Sequence, residues 1–315
     1  MLSSLPMILD ALVPVAFVIL LGMLAGRLGL IKPENSGVLA TLALDFCLPA
    51  LLFAATAKMT LKELENWPFF VGIAAGLLAI YLVALALSLA AFRKPIAASS
   101  LQALNSAFPN MAFMGVPVLT AVIAASAVLS VVIGNLISSF VLLPLTLLEA
   151  GSPSQKKKHG ASVVWSSLLG AVKQPLVWAP LVGIVMAVAQ IPLPALGEKS
   201  FNLIGEATSG VALFALGLVL SGQKLRIGLP AVVNIVFKIL AQPLAMWGLA
   251  ILLGVTGVYR REMILLGALP TASMTAMFAV EYKVYTDESD ATILISTLIS
   301  VVTLGACIAL TSGLK

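Results

Sequence analysis

The sequence predicts an all-α polytopic membrane protein: ten transmembrane helices arranged as two inverted five-helix repeats. Three observations carry this. Of 315 residues, 61% are hydrophobic and only 10% charged, against about 25% charged in ordinary soluble domains. Apolar runs close to the roughly 20 residues that cross about 30 Å of hydrocarbon recur along the whole chain. A short basic stretch in the middle leaves five such runs on each side. A soluble fold is excluded, and no stretch is left for a separate soluble domain.

The first run, "MILDALVPVAFVILLGMLAG", lacks a basic leader and a small-x-small cleavage site, so it reads as a first span rather than a signal peptide. Further spans begin near residues 36, 67, 97, 127, 174, 200, 228, 261 and 290, each set off by a charged or Pro/Gly/Ser-rich joint. Residues 1–150 form the first repeat, 151–173 a basic linker and 174–315 the second repeat. Lys and Arg accumulate on the cytoplasmic side of short joints. With the N-terminus outside, the cytoplasmic joints hold eleven of them (Arg27, Lys32, Arg93, Lys94, Lys156, Lys157, Lys158, Lys173, Lys224, Arg226 and Lys283). The outer side holds six, Lys58, Lys62, Lys199, Arg260, Arg261 and Lys315. Both termini are therefore expected outside and the linker inside, where its lysine run meets anionic lipid and fixes topology rather than binding nucleic acid.

Several chemistries are excluded. Cys47 and Cys307 both lie in apolar runs and form neither a disulfide framework nor a metal cluster. His159 is the only histidine and lies in the basic linker, so zinc and imidazole chemistry lose their usual ligand. No metal and no cofactor is expected. No P-loop is present, which removes direct ATP drive. The acidic "DESD" at 287–290 is the one feature an intramembrane lipid-modifying enzyme could use for a metal, and a solvated turn explains it better.

Sliding the sequence on itself by 161 residues places Pro14 on Pro175, Gly22 on Gly183, Asp45 on Glu206, and "AFP" at 107–109 on "ALP" at 268–270. An odd number of spans per copy inverts the second copy, the architecture of many secondary transporters. Two stretches become partners under this shift, "NSAFPNMAFMGVPVL" at 105–119 and "LGALPTASMTAMFAVEY" at 266–282. A proline removes a backbone hydrogen bond and clashes with the preceding turn. Irregular backbone at membrane depth is tolerated only inside protein or along a wet cavity. Spans four and nine are therefore expected to be discontinuous, broken near Pro109 and Pro270. Freed N–H groups at a half-helix N-terminus suit an anion such as a carboxylate. Asn105, Asn110, Thr271, Ser273 and Thr275 would add neutral hydrogen-bonding groups. A simple kink in two packed helices is the plainer reading, and the matched positions in both halves weigh against it.

Charged residues inside the membrane usually face a wet interior. Asp45 and Glu206, partners under the repeat, are candidates to couple transport to protons or sodium, with a shallow solvated position as the alternative. Lys238 has Asn234 and Gln242 one turn to either side on one helical face, and could balance a carboxylate, unless its stem snorkels to the interface. Asn135, beside Ser138 and Ser139, borders the crossing or serves as helix-to-helix packing.

With these residues in view, the chain resembles the auxin efflux carrier family over essentially its whole length. "LDFCLPALLFAATA" in span two, the asparagine-bearing break of span four and the Gly115, Val116, Pro117 turn carry the likeness. It is strongest toward the bacterial branch, whose members are commonly described as malonate or malate transporters. The resemblance implies a fold similar to bile-acid sodium symporters and sodium/proton antiporters. It also implies a scaffold of spans one, two, six and seven, and a moving domain of spans three to five and eight to ten. Pro109 and Asn110, with Pro270 and Thr271, become the crossover positions. Dimerisation through the scaffold and a bacterial inner membrane belong to the same expectation. Thr271 stands where the first half has an amide, so the two half-sites differ chemically.

The expected function is thus secondary active transport of a small organic anion, such as malonate or malate, by elevator-type alternating access, with a proton or sodium as coupling ion. The alternatives are a sodium-coupled symporter of larger amphipathic anions and, further off, the lipid-modifying enzyme.

Overall fold

Proline positions and close helix contacts shape the fold seen in a computed structural model, which describes residues 5–124, 127–150, 160–223 and 227–314. The helices are α1 (Leu5–Arg27), α2 (Pro33–Thr56), α3 (Leu61–Ala90), α4 (Ile96–Ala107), α5 (Met111–Val122), α6 (Val128–Leu148) and α7 (Gly160–Lys173). They continue with α8 (Pro175–Val188), α9 (Ala195–Gly222), α10 (Leu229–Leu252), α11 (Gly257–Ala268), α12 (Met274–Tyr282) and α13 (Thr286–Thr311). Among the described residues no strand forms beyond a single antiparallel bridge. The linker lysines Lys156, Lys157 and Lys158 with His159, and Lys224, Arg226 and Lys315, lie outside the described residues.

Seven of these helices are long and apolar enough to cross a membrane, and eight if the bent pair at Gln174 is one span. The chain is therefore an all-helical, multi-pass membrane protein. The sequence reading expects ten spans, and the fourth and ninth apolar segments it names are each divided. Their pieces, α4 with α5 and α11 with α12, have 9 to 12 residues each. None of these alone reaches the roughly 20 needed to span. The basic linker differs too. It is helical from Gly160 onward, where the apolar residues Val163, Val164, Trp165, Leu168 and Leu169 begin, and Pro175 interrupts it.

Among the described residues four wide, i→i+5 turns lie within or at the start of helices, at Leu42–Cys47, Met111–Gly115, Ser138–Leu142 and Phe237–Ala241. Each is followed, two residues beyond its end, by a proline: Pro49, Pro117, Pro144 and Pro243. The proline ring crowds the carbonyl four residues earlier and offers it no N–H. A single wide turn relieves that clash without ending the helix.

The chain divides into two compact units. The first comprises Met1–Trp67, Met111–Asn135 and Val172–Gly222. There α1 lies along α9 at a distance only glycine permits. A Cβ on Gly22 would fall 2.2 Å from the Phe214 carbonyl oxygen, and one on Gly217 would fall 2.1 Å from that of Ile19. Small residues that let backbones approach are the usual means of packing helices in lipid, where no hydrophobic force favours helix over acyl chain. The second unit comprises Pro68–Asn110, Leu136–Ala171 and Gln223–Lys315. Its interior is unusually polar for a membrane protein, with Gln102, Asn105, Asn234, Lys238 and Gln242 all fully buried.

Candidate functional site

Within the second unit, two helices stop at prolines. Helix α4 ends at Ala107, and Phe108, the residue before Pro109, is extended at φ −87°, ψ 105°. Helix α11 ends at Ala268, and Leu269, before Pro270, is extended at φ −59°, ψ 146°. The cause is local: the proline ring clashes with the backbone of the preceding residue and drives it out of the helical region. The two extended pieces then pair antiparallel through a bridge between Pro109 and Thr271. The Asn110 amide donates to the Pro270 carbonyl at 2.8 Å, and the Ala272 amide to that of Phe108 at 3.0 Å. Every residue of both pieces, from Phe108 to Asn110 and from Leu269 to Ala272, is buried. An unsatisfied backbone group in hydrocarbon costs several kcal/mol, so this mutual pairing is what lets two helix breaks sit in the interior.

The helix ends are closed by side chains. The Thr271 hydroxyl donates to the Asn105 carbonyl at 2.9 Å, and Gln242 Nε2 to that of Ala107 at 2.7 Å. Lys238 Nζ donates to the Gly267 carbonyl at 3.3 Å and to Gln242 Oε1. The Thr271 amide is held by Ser296 Oγ at 3.1 Å. Carbonyls that the last turn of a helix leaves without donors thus find them here.

The candidate residues fall into different situations. Asn105 is saturated: its amide nitrogen donates to the Leu101 carbonyl and to Ser289 Oγ, both at 2.9 Å, and its oxygen accepts from Thr275 Oγ1 at 2.9 Å. It ties α4 to α12 and α13. Pro109, Asn110, Pro270 and Thr271 form the paired breaks themselves. Ser273 sits at the N-terminus of α12, neither capping the helix nor hydrogen-bonded through its hydroxyl. Lys238 donates to the Gly267 carbonyl and the Gln242 side chain and meets no carboxylate among the described residues.

Asn135, Asp45 and Glu206 belong to the first unit. Asn135 Nδ2 donates to the Leu176 carbonyl at 3.3 Å. That carbonyl would ordinarily accept from residue 180, which is a proline, so the asparagine supplies the missing donor. Asp45 is exposed on the first wide turn and edges an apolar groove of about 440 Å³ with Phe46, Pro49, Phe53 and Trp178. Glu206, exposed at the joint inside α9, lines a cavity of about 530 Å³ together with Lys58, Glu63, Asn202 and Ser209.

Two serines, Ser289 and Ser296, escaped the sequence reading, and Asn234, read there only as part of the stripe with Lys238, joins three elements. Asn234 accepts from Ser106 Oγ at 3.1 Å and donates to Tyr285 Oη and Thr292 Oγ1 at 3.1 and 3.2 Å. Ser289 and Ser296 brace Asn105 and Thr271. A signal existed: Ser289, Thr292, Ser296 and Ser300 recur every three or four residues along α13 and are all fully buried. Chemically, the C-terminal ends of α4 and α11 are capped. At the N-terminus of α12 the Thr275 and Ala276 amides donate to the Ala272 and Ser273 carbonyls, and the Ser273 hydroxyl at this partially positive end is what remains for an anion.

The chain is similar over most of its length to bacterial transporters. It is 28% identical over 302 residues to the Escherichia coli (strain K12) protein named "Uncharacterized transporter YfdV", covering 93% of this chain and 94% of that one. It is 26% identical over 292 residues to the "Putative malonate transporter" of Rhizobium meliloti (strain 1021), covering 90% of each. A more distant likeness, 30% over 130 residues, reaches auxin efflux carrier component 3a of Oryza sativa subsp. japonica, covering 39% of this chain and 21% of that one. A family model described as membrane transport protein matches residues 7–308, and the chain belongs to that family, in which the auxin efflux carriers are also found.

Proposed function

We propose that this transporter carries small organic anions, most simply a carboxylate such as malonate or malate, by secondary active, elevator-type alternating access at the paired helix breaks. The observation that carries this reading is the antiparallel pairing of Phe108–Asn110 with Leu269–Ala272. The pairing closes the Phe108 and Pro270 carbonyls just past the helix ends and leaves the Ser273 hydroxyl and the start of α12, ahead of the bonded Thr275 and Ala276 amides, for a ligand. Asn110, Thr271 and Ser273 are assigned to the carboxylate. Asn105, Pro109 and Pro270 hold the site's shape, and Asn135 braces α6 against α8.

The helix ends support a ten-span, two-repeat architecture. At the 161-residue shift read from the sequence, Arg27 falls on Val188, Ile96 on Gly257 and Ala107 on Ala268. These are ends of α1 and α8, starts of α4 and α11, and ends of α4 and α11. Counting α4 with α5 and α11 with α12 as broken spans gives five per repeat. The scaffold is assigned to spans one, two, six and seven, the moving part to spans three to five and eight to ten, with both termini on the periplasmic side of a bacterial inner membrane. Asp45 and Glu206 are the candidates for coupling to a proton or sodium. The name of the Rhizobium meliloti relative supports malonate as the first acid to try.

The test is uptake of radiolabelled malonate into proteoliposomes, with malate and acetate as competitors, under proton and sodium gradients imposed in turn. Saturable uptake driven by one gradient is the expected result and names the ion. Folded protein that moves none of the three acids under either gradient withdraws the small-carboxylate assignment.

A further inference from the structure

We infer that Lys238 and Gln242 form a positioning clasp for the crossover, in which the ammonium cancels the negative ends of two half-helices instead of pairing with the transported anion. This rests on the crossover reading above and changes the role of Lys238, the one fully buried cation among the described residues.

Helices α4 and α11 are both 12 residues long, and both end at the crossover. An α-helix carries about −0.5 elementary charge at its C-terminus. Two such ends meeting at one buried place therefore sum to about −1, the charge one ammonium cancels. Lys238 is fully buried, and its acceptors are the Gly267 carbonyl, one residue short of the end of α11, and Gln242 Oε1. Accepting from the lysine fixes which way the Gln242 amide faces. Its Nε2 is then committed to the carbonyl of Ala107, the last residue of α4, at 2.7 Å. One cation thus serves both helix ends, the first directly and the second through an amide whose orientation it sets.

The backbone is built to bring these groups together. Lys238 and Gln242 are four residues apart on α10 and share a face. Gly267 lets α10 come close: a Cβ there would lie 2.8 Å from Met246 Cγ and 3.2 Å from Pro243 Cα. The two ion pairs among the described residues, Lys58 with Glu198 and Lys94 with Glu288, involve neither member of the clasp. A cation whose charge is already balanced by helix ends adds little attraction for a substrate carboxylate. Its removal should disturb the architecture of the crossing before it disturbs affinity.

The experiment compares wild type, Lys238→Met, Lys238→Arg, Gln242→Leu and the Lys238→Met/Gln242→Leu double variant in two readouts. One is malonate uptake into proteoliposomes; the other is amide hydrogen exchange over residues 104–108 and 266–270. Both single neutral variants should lower the maximal uptake rate about tenfold while the half-saturating concentration stays within about threefold. Both should speed exchange over both segments, Lys238→Arg should restore most of the loss, and the double variant should be little worse than either single one, as for residues acting as a unit. If Lys238→Met does not fold, Gln242→Leu, which leaves the ammonium on Gly267, carries the same two readouts. A rise of about tenfold or more in half-saturation with the maximal rate unchanged would make Lys238 the substrate's counter-charge and overturn the clasp. So would wild-type exchange in Gln242→Leu. If wild type moves no malonate yet the variants loosen both segments, the clasp stands and the carboxylate reading alone fails.

Discussion

Thr271 holds the crossover from both its ends: the hydroxyl closes the Asn105 carbonyl, and the amide is bound by Ser296. Thr271→Val keeps the shape and deletes one buried donor, which should cost about 1–3 kcal/mol because the carbonyl is left unsatisfied. A lowered midpoint of thermal unfolding in detergent, restored by Thr271→Ser, is the expected measurement. Asn110→Ala should lower malonate uptake about tenfold or more at unchanged yield of folded protein, since it alters the ligand's surroundings and not the backbone pairing. Uptake at the wild-type rate would remove Asn110 from the site. At this scale the sequence was only half legible. Asn105 stands out as a polar residue beside a break, but its partners Thr275 and Ser289 are 170 and 184 residues away along the chain. No local pattern reveals that its amide is saturated. Lys238 likewise stood out as an intramembrane charge, while the Gly267 carbonyl it closes and the Ala107 carbonyl closed by Gln242 belong to helix ends whose meeting place depends on the tertiary fold.

The helix breaks show what local chemistry can say about elements. A proline expels its predecessor from the helical region whatever the surroundings, so the ends of α4 and α11 could be read from "AFP" and "ALP" alone. The wide turns before Pro49, Pro117, Pro144 and Pro243 have the same origin, yet the sequence could not say whether each proline would break its helix or only widen it. That choice depends on whether neighbours satisfy the freed groups. Asn135 is the clearest case, because it supplies the Leu176 carbonyl with the donor that Pro180 lacks. Asn135→Leu should therefore lower stability by about 1–3 kcal/mol with unchanged half-saturation for uptake. Adding Pro180→Ala, which returns an N–H to that carbonyl, should recover most of the loss. Absence of recovery would show that Asn135 acts elsewhere. Close packing gives a second element-scale expectation. Gly217→Ala places a methyl 2.1 Å from the Ile19 carbonyl oxygen, and should lower the unfolding midpoint more than Gly210→Ala, where a Cβ meets nothing within 4 Å.

For the whole molecule, composition settled the class, since 61% hydrophobic residues and 10% charged ones leave no soluble alternative. The number of crossings is harder to read, because length and hydropathy find seven or eight spans among the described residues and leave the divided helices uncounted. The internal shift of 161 residues matches the divided segments to each other, and the ten-span proposal rests on that match. Orientation rests on the distribution of Lys and Arg. In a variant with Cys47 and Cys307 replaced, a cysteine at Ser312, past the end of α13, should react with a membrane-impermeant maleimide from the periplasmic side. Reaction only after the cytoplasmic side is exposed would reverse the topology.

The measurement that bears most directly on the crossover as the anion site is amide hydrogen exchange on the wild-type protein. It would be made with and without a saturating concentration of whichever acid drives saturable uptake. Protection concentrated in residues 104–111 and 268–276 is the predicted result. Protection confined to the groove beside Asp45 or the cavity beside Glu206, with those two segments unchanged, would contradict it and move the site to the first unit.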